Sequence, residues 1–174
     1  MKLERIVLSV VLLLVVAGLA RCGATATPAS YADPFAYCAA VGTIDAPDAT
    51  YTGPHVPQSV AEGLQKALNA PGTPLDILES GSSWRCMDGD VYACFVGANL
   101  PCEAKANTDK APTQEEIDFC QANPSSDFIP AVVTGRETVF EWRCRDGAPE
   151  IVKQILQPDA QGFLSDIWYN ISPD

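Results

Sequence analysis

Trp84-Arg85-Cys86-Met87-Asp88-Gly89 recurs further along the chain as Trp142-Arg143-Cys144-Arg145-Asp146-Gly147, with only the fourth position changed. The dipeptide Asp-Gly favours a two-residue turn in which both central residues have positive φ, and such turns join antiparallel strands. Each copy therefore predicts a β-hairpin, and the chain is built around this doubled element.

The first hairpin has a definite register if Asp88-Gly89 is its turn. Cys86 then lies opposite Val91, and Trp84 lies opposite Ala93. Because side chains alternate between the two faces of a strand, these four residues share one face, which we expect to be buried. Cys94 points to the other face, so a bond between Cys86 and Cys94 is excluded.

The second hairpin predicts the same alternation, with Trp142 and Cys144 facing the core. Arg143 falls opposite Glu150, a cross-strand pair typical of a sheet surface. Arg85 and Arg143 are then the side chains that each copy presents to solvent. If the repeat itself carries function, these two arginines are the candidates.

Two helices and further strands are predicted around the hairpins. One helix begins at Pro57, and a second has the capping-box pair Thr113 and Glu116. The alternation of apolar and acidic residues at 75–77 indicates a short strand or extended segment. Strand-like segments at 140–145, 151–156 and 163–171 predict a three-stranded meander. The fold class is therefore α+β, an antiparallel sheet of hairpins with two short helices, stapled by disulfides.

The N-terminus has the features of an export signal, with basic residues, an apolar run and a small-residue cleavage site near Ala26. Residues 1–26 are interpreted as a signal peptide, 27–34 as a tether and 35–174 as a single domain. Two alternatives are lipidation of Cys22 after a lipoprotein signal and an uncleaved anchor. In each case the domain is extracytoplasmic, either secreted or anchored to the outer face of the membrane.

Six cysteines follow the signal, an even number that predicts three disulfides in an oxidising compartment. They are Cys38, Cys86, Cys94, Cys102, Cys120 and Cys144. Burial of Cys120 on a helix that follows Cys102 suggests a bond between these two, which would enclose the intervening loop.

Removal of residues 1–26 takes away three basic residues and one acidic residue. The remainder has 11 − 3 = 8 basic and 22 − 1 = 21 acidic residues, a formal charge of −13. This charge repels nucleic acid and anionic lipid, so contact with a membrane is expected only through the signal or a lipid anchor. It favours a cationic partner by electrostatic steering, although it also serves solubility alone.

Catalytic and metal-binding patterns are weak in this sequence. His55 is the single histidine, no glycine-flanked serine elbow is present, and the cysteines are better explained as disulfides than as nucleophiles or zinc ligands. Asp88 and Asp90 are interpreted as turn residues rather than calcium ligands. No cofactor, metal or catalytic residue is assigned. Paired carboxylates for sugar hydrolysis could be drawn from Asp88, Asp90, Glu141, Asp146 and Glu150.

Aromatic side chains offer a possible ligand platform. Trp84 and Trp142 are assigned to the core, whereas the neighbours Trp168 and Tyr169 should face opposite ways, and the outward one is the better binding candidate. The candidate binding surface therefore comprises Arg85, Arg143, Trp168 and Tyr169.

Two resemblances follow from these motifs. The repeated Trp-Arg-Cys, with Ala93 to Cys102 and Ser126 to Ala131, resembles small exported bacterial proteins of unassigned function, which implies export. The doubled aromatic-x-Cys-x-x-Gly at Trp84 and Trp142 is similar to the start of the membrane-bound lysozyme inhibitor family, without a match to that family's inhibitory serine and lysine loops.

The sequence thus predicts an exported, non-catalytic binding or interaction module of the cell envelope. Its partner is expected to be a cationic protein or an envelope glycan. The alternatives are a lysozyme-inhibitor-like module, a carbohydrate hydrolase with paired carboxylates, and a purely structural envelope protein.

Overall fold

A computed structural model describes residues 29–95 and 101–173. The proposed cleavage site near Ala26 and the proposed lipidation site at Cys22 lie outside the described residues. The α+β class is confirmed. The helices are α1 Pro34–Val41, α2 Gln58–Ala67, α3 Leu75–Gly81, α4 Gln114–Ala122 and α5 Ala131–Thr134. The strands are β1 Ser82–Met87, β2 Asp90–Phe95, β3 Phe140–Arg145, β4 Ala148–Gln154 and β5 Tyr169–Ile171.

Both predicted hairpins are present, and the predicted register of the first is confirmed. Trp84 pairs with Ala93 and Cys86 with Val91 across β1 and β2. Asp88 and Gly89 have φ values of 56° and 88°, as this turn requires. In the second hairpin Arg143 pairs with Glu150, as predicted.

The predicted C-terminal meander is wrong, because β5 belongs to the first hairpin. The strands form two sheets, ordered β1-β2-β5 and β3-β4. Ile171 pairs with Val91 and lies against Gly63 of α2, where an added Cβ would come within 2.3 Å of the Ile171 side chain. A glycine on α2 therefore makes the space that lets the last strand dock on the first hairpin.

The repeat extends beyond the hairpins to a helix that carries a cysteine. The Cys38–Cys86 bond joins α1 to β1, and the Cys120–Cys144 bond joins α4 to β3, each with a Cα–Cα distance of 5.2 Å. We call α1 with β1 and β2 the first unit, and α4 with β3 and β4 the second unit.

Backbone hydrogen bonds after the two helices match as well. Six residues after its helical cysteine, each chain segment offers a carbonyl to the hairpin cysteine. The Cys86 N–H donates to Ile44 O at 3.1 Å, and the Cys144 N–H donates to Ser126 O at 2.8 Å. The two units are thus the same local structure formed twice.

The predicted Cys102–Cys120 bond is wrong. Cys120 lies on the face of α4 that packs against β3 and bonds Cys144, whereas Cys102 bonds Cys94. Cys94 is on the opposite face of the first hairpin from Cys86, so the exclusion of a Cys86–Cys94 bond is correct. Three disulfides indicate that the protein folds in an oxidising, extracytoplasmic compartment.

Three helices differ in how well the sequence predicts them. The capping box at Thr113 and Glu116 is confirmed, with reciprocal bonds of 3.2 and 2.6 Å. The strand predicted at 75–77 is wrong, because the segment forms α3 and buries Leu78, three residues after Leu75. Helix α1 was not predicted. It begins at Pro34, and the Asp33 carboxylate accepts from the Ala36 N–H at 2.7 Å.

The apolar side chains form two main cores, one for each unit. Trp84 is central to the first core and Trp142 to the second, and each is less than 5% exposed. The assignment of these two tryptophans to the core is therefore confirmed. A third, smaller cluster joins the Cys94–Cys102 disulfide to Phe163 and Trp168.

Candidate functional site

Arg85 is fully buried, which corrects the prediction that it faces solvent. It does point away from the first core, but the C-terminal loop of residues 155–168 covers that face of β1. Its guanidinium carbon lies 4.5 Å from the ring centre of Phe163 and 4.4 Å from that of Trp168. The alternation of side chains gave the correct face of the strand, but it carries no information about what covers that face.

The buried charge of Arg85 is neutralised by Asp159. The guanidinium pairs with Asp159 Oδ2 and donates to Gln161 Oε1, while its Nε has no partner among the described residues. The other oxygen of Asp159 accepts from the backbone N–H groups of Gln161 and Phe163 at 2.9 and 3.1 Å. Asp159 therefore both compensates the arginine and shapes the loop that covers it.

Asp45 extends this network to the surface. It accepts from Gln161 Nε2 at 2.9 Å and from Lys105 Nζ at 2.5 Å. The hydrogen bond from Lys105 is the main cause that lowers the pKa of Asp45, and burial opposes it. Lys105 Nζ also lies 3.6 Å from the centre of the Phe163 ring. The network thus ties three separate segments, around residues 45, 105 and 161, to β1.

Beside this network lies a groove of about 590 Å³, within the range of small-ligand sites. We call it the acidic groove. Its lining residues come from four parts of the chain: Asp45, Ala46, Pro47, Asp48, Tyr51, His55, Ser83, Trp84, Cys102, Glu103, Lys105, Phe163 and Trp168.

The floor of the acidic groove is aromatic and rigidly held. The Trp84 indole N–H donates to the His55 backbone carbonyl at 2.6 Å, and its ring meets Tyr51 edge-on at 4.8 Å between centres. Trp168 meets Phe163 in a similar arrangement at 5.5 Å. The Trp168 indole N–H has no hydrogen-bond partner among the described residues. Such an orphaned buried donor costs about 1 to 3 kcal/mol of stability.

Two exposed carboxylates on the rim have no cationic partner in the described parts of the chain. Asp48 accepts from the Thr50 hydroxyl and backbone N–H, and these bonds lower its pKa. Glu103 accepts from the Ser83 hydroxyl at 3.0 Å. Since Lys105 is already paired with Asp45, the rim carries an unbalanced negative charge.

The second unit presents no equivalent of the buried arginine within the described residues. Arg143 is one-third exposed and shares Glu150 with Arg145, at 2.9 and 2.8 Å. The hydrogen bond from Arg143 lowers the pKa of Glu150 and the same contact raises the pKa of Arg143. Arg143 is thus a sheet-surface residue, as the sequence predicted, and the two repeat arginines have different environments.

The remaining sequence candidates divide between the groove and other surfaces. Trp168 faces inward and lines the groove, whereas Tyr169 is half-buried against the first core. His55 is exposed on the groove wall. The carboxylates proposed for sugar hydrolysis lie on the hairpins and do not line the groove: Asp88, Asp90, Glu141, Asp146 and Glu150.

The acidic residues of the groove were missed by sequence reasoning, although one of them had a signal. Asp45 follows Cys38 by seven residues, and Asp127 follows Cys120 by the same interval. The charge of Arg85 contributes to the lowered pKa of Asp45, and the charge of Asp127 contributes to the raised pKa of Arg143. An alignment of the two helical cysteines would therefore have placed Asp45 beside the repeat. No comparable pattern points to Glu103 or Lys105.

Comparison with protein-family models, with curated proteins and with solved structures finds no match to this chain. Within 29–95 and 101–173, no group of histidine, cysteine, aspartate or glutamate side chains has a metal-binding arrangement. The helices in those same ranges are too short or too polar to cross a membrane.

Proposed function

We propose that this protein is an exported, non-catalytic binding module of the cell envelope and that the acidic groove is its binding surface. The observation that carries the proposal is the combination of a rigid aromatic floor with unpaired carboxylates at Asp48 and Glu103. Aromatic faces beside carboxylates suit cationic groups and sugars. Export would use residues 1–26 as a signal, with secretion or lipidation at Cys22 as the two routes.

The chemistry of the groove supports binding rather than catalysis. Its one cysteine, Cys102, is bonded to Cys94 and so is not a nucleophile. Hydrolysis of a glycan requires one carboxylic acid with a raised pKa. The pKa values of Asp45 and Asp48 are lowered instead, so both remain ionised at neutral pH and neither can serve as the acid.

A steric block of the groove tests this function even while the natural ligand is unidentified. Ala46 is exposed and lines the groove, so Ala46→Trp fills it. The matched control is Ala122→Trp, at an exposed position at the end of α4 in the second unit. Calorimetric titration would use three probes: cytochrome c and poly-L-lysine as cationic ligands, and chitotetraose as a neutral glycan.

We expect saturable binding of at least one probe, weakened at least about tenfold by Ala46→Trp and by less than about twofold by Ala122→Trp, because filling the groove removes the whole contact. Absence of saturable binding for all three probes, or equal effects of the two substitutions, would overturn the proposal. Release of reducing ends from chitotetraose would favour the hydrolase alternative.

A further inference from the structure

The charges around the acidic groove are unevenly paired. Arg85 forms an ion pair with Asp159, and Lys105 forms one with Asp45. The groove then retains two carboxylates without a cationic partner among the described residues, Asp48 and Glu103. Asp48 precedes the first hairpin in the chain, and Glu103 follows it. The occupant that complements this rim carries positive charge.

The aromatic residues already hold cations inside the protein. Arg85 lies over Phe163 and Trp168, and Lys105 lies over Phe163 at 3.6 Å. These contacts show that the rings of this cluster accept ammonium and guanidinium groups at cation–π distance. Trp84 and Tyr51 extend the aromatic surface to the part of the groove beside Asp48.

The net charge of the domain favours a basic protein over a small cation as the partner of the groove. Trp84, Phe163 and Trp168 are each less than 8% exposed, so the aromatic floor offers little ring area to any occupant and the charge of the partner matters more. A charged side chain on a basic protein is attracted more strongly than a small cation, because the rest of the basic surface also faces a domain of net charge −13. The steering field of the whole domain then adds to the contact in the groove.

From these observations we propose that the acidic groove receives a lysine or arginine side chain from a basic protein segment, with Asp48 and Glu103 as the charge partners and Trp84 and Trp168 as the floor. This inference rests on the proposed binding function and specifies its partner.

The test uses capped peptides as probes of the basic segment. The peptide acetyl-Gly-Lys-Gly-Lys-Gly-amide is titrated into the purified protein, with its Nε-acetylated counterpart as the uncharged control. Spermidine serves as the small-cation probe and chitotetraose as the neutral glycan. The protein variants are Asp48→Asn and Glu103→Gln, with Glu115→Gln as the matched control, since Glu115 is exposed on α4 outside the groove.

We expect the lysine peptide to bind at least about tenfold more tightly than its acetylated form, and Glu103→Gln or Asp48→Asn to weaken it by about three- to tenfold, as loss of a charge partner at a partly exposed site implies. Glu115→Gln should change the affinity by less than about twofold, and binding should weaken between about 50 and 200 mM salt.

Equal binding of the two peptides, or equal effects of Glu103→Gln and Glu115→Gln, would overturn the inference. Tighter binding of spermidine than of the peptide would assign the groove to a small cation instead. If chitotetraose alone binds and Ala46→Trp blocks it, the binding function stands and the basic segment is wrong. If no probe binds, both fail together.

Discussion

Removal of Arg85 should be among the most destabilising single substitutions in this protein. Arg85→Met keeps much of the side-chain length but removes the charge. The side chain of Arg85 is fully buried and that of Asp159 is 9% exposed, so the aspartate would be left nearly without compensation. Loss of one partner from a buried ion pair costs about 3 to 5 kcal/mol. The two backbone donors to Asp159 retain part of its stabilisation, which places the estimate toward the lower part of that range.

The second unit supplies a matched control for this substitution. Arg143 occupies the same repeat position, but its side chain is 34% exposed and its partner Glu150 is 40% exposed. An exposed pair is worth only about 0 to 1 kcal/mol, so Arg143→Met should have little effect. The double variant Arg85→Met with Asp159→Asn should recover part of the loss, because it no longer buries an unpaired charge.

Urea unfolding of the oxidised protein, followed by tryptophan fluorescence, measures these differences. With a denaturant slope of about 1 to 3 kcal/mol per molar, Arg85→Met should lower the midpoint by about 1 to 3 M. The midpoint of Arg143→Met should stay close to that of wild type. Similar midpoints for the two single variants would refute the buried role of Arg85.

Three further predictions concern the disulfides, the loss of stability at low pH and a helix cap. Replacing both cysteines of a disulfide by serine should destabilise the protein more for a longer sequence separation, which is 48 residues for Cys38–Cys86, 24 for Cys120–Cys144 and 8 for Cys94–Cys102. The chain-entropy model gives losses of about 4, 3.5 and 2.5 kcal/mol in that order. Urea midpoints should fall in the same order, and a largest loss for Cys94–Cys102 would contradict the prediction. The pKa of Asp45 is lowered in the folded protein, so its stabilisation is present above the unfolded pKa of about 4 and is lost as pH falls through the lower folded value. The unfolding free energy should therefore decline below about pH 4, and less steeply in Asp45→Asn; equal slopes would remove Asp45 from the explanation. Thr113→Ala should cost about 1 kcal/mol through loss of the cap of α4, measured by the same titration, and an unchanged midpoint would show that the capping box adds nothing.

Local sequence signals predicted the local structure well. The Asp-Gly turns specify the register of the first hairpin and that of the second as far as Trp142, beyond which a bulge shifts the pairing by one residue. The capping box at Thr113 also acts over a few residues.

Features that depend on distant packing were not predictable in the same way. Helix α1 lacks a polar face, since most of Pro34–Val41 is apolar or small, and so it has no helical periodicity to detect. The pairing of β5 with β2 depends on the space at Gly63, more than a hundred residues away from Ile171. Sequence order alone placed β5 beside β4 instead.

The candidate site shows the same division. The strand pattern put Arg85 on the outer face of β1, but only the fold brings Phe163, Trp168 and Asp159 over it. The groove is assembled from four segments, so its carboxylates at Asp48 and Glu103 have no common sequence motif. The sequence indicated Arg85 and Trp168 as candidates, and the repeated interval from helical cysteine to aspartate also points to Asp45.

The most direct test of the binding role uses the three tryptophans as reporters. Trp84 and Trp168 line the acidic groove, whereas Trp142 lies in the core of the second unit. In ¹⁵N-labelled protein titrated with the lysine peptide, the indole resonances of Trp84 and Trp168 should shift in a saturable manner while that of Trp142 remains in place. A shift of Trp142 without the other two, or no saturable shift of any indole with the peptide or with chitotetraose, would contradict the assignment of binding to this groove.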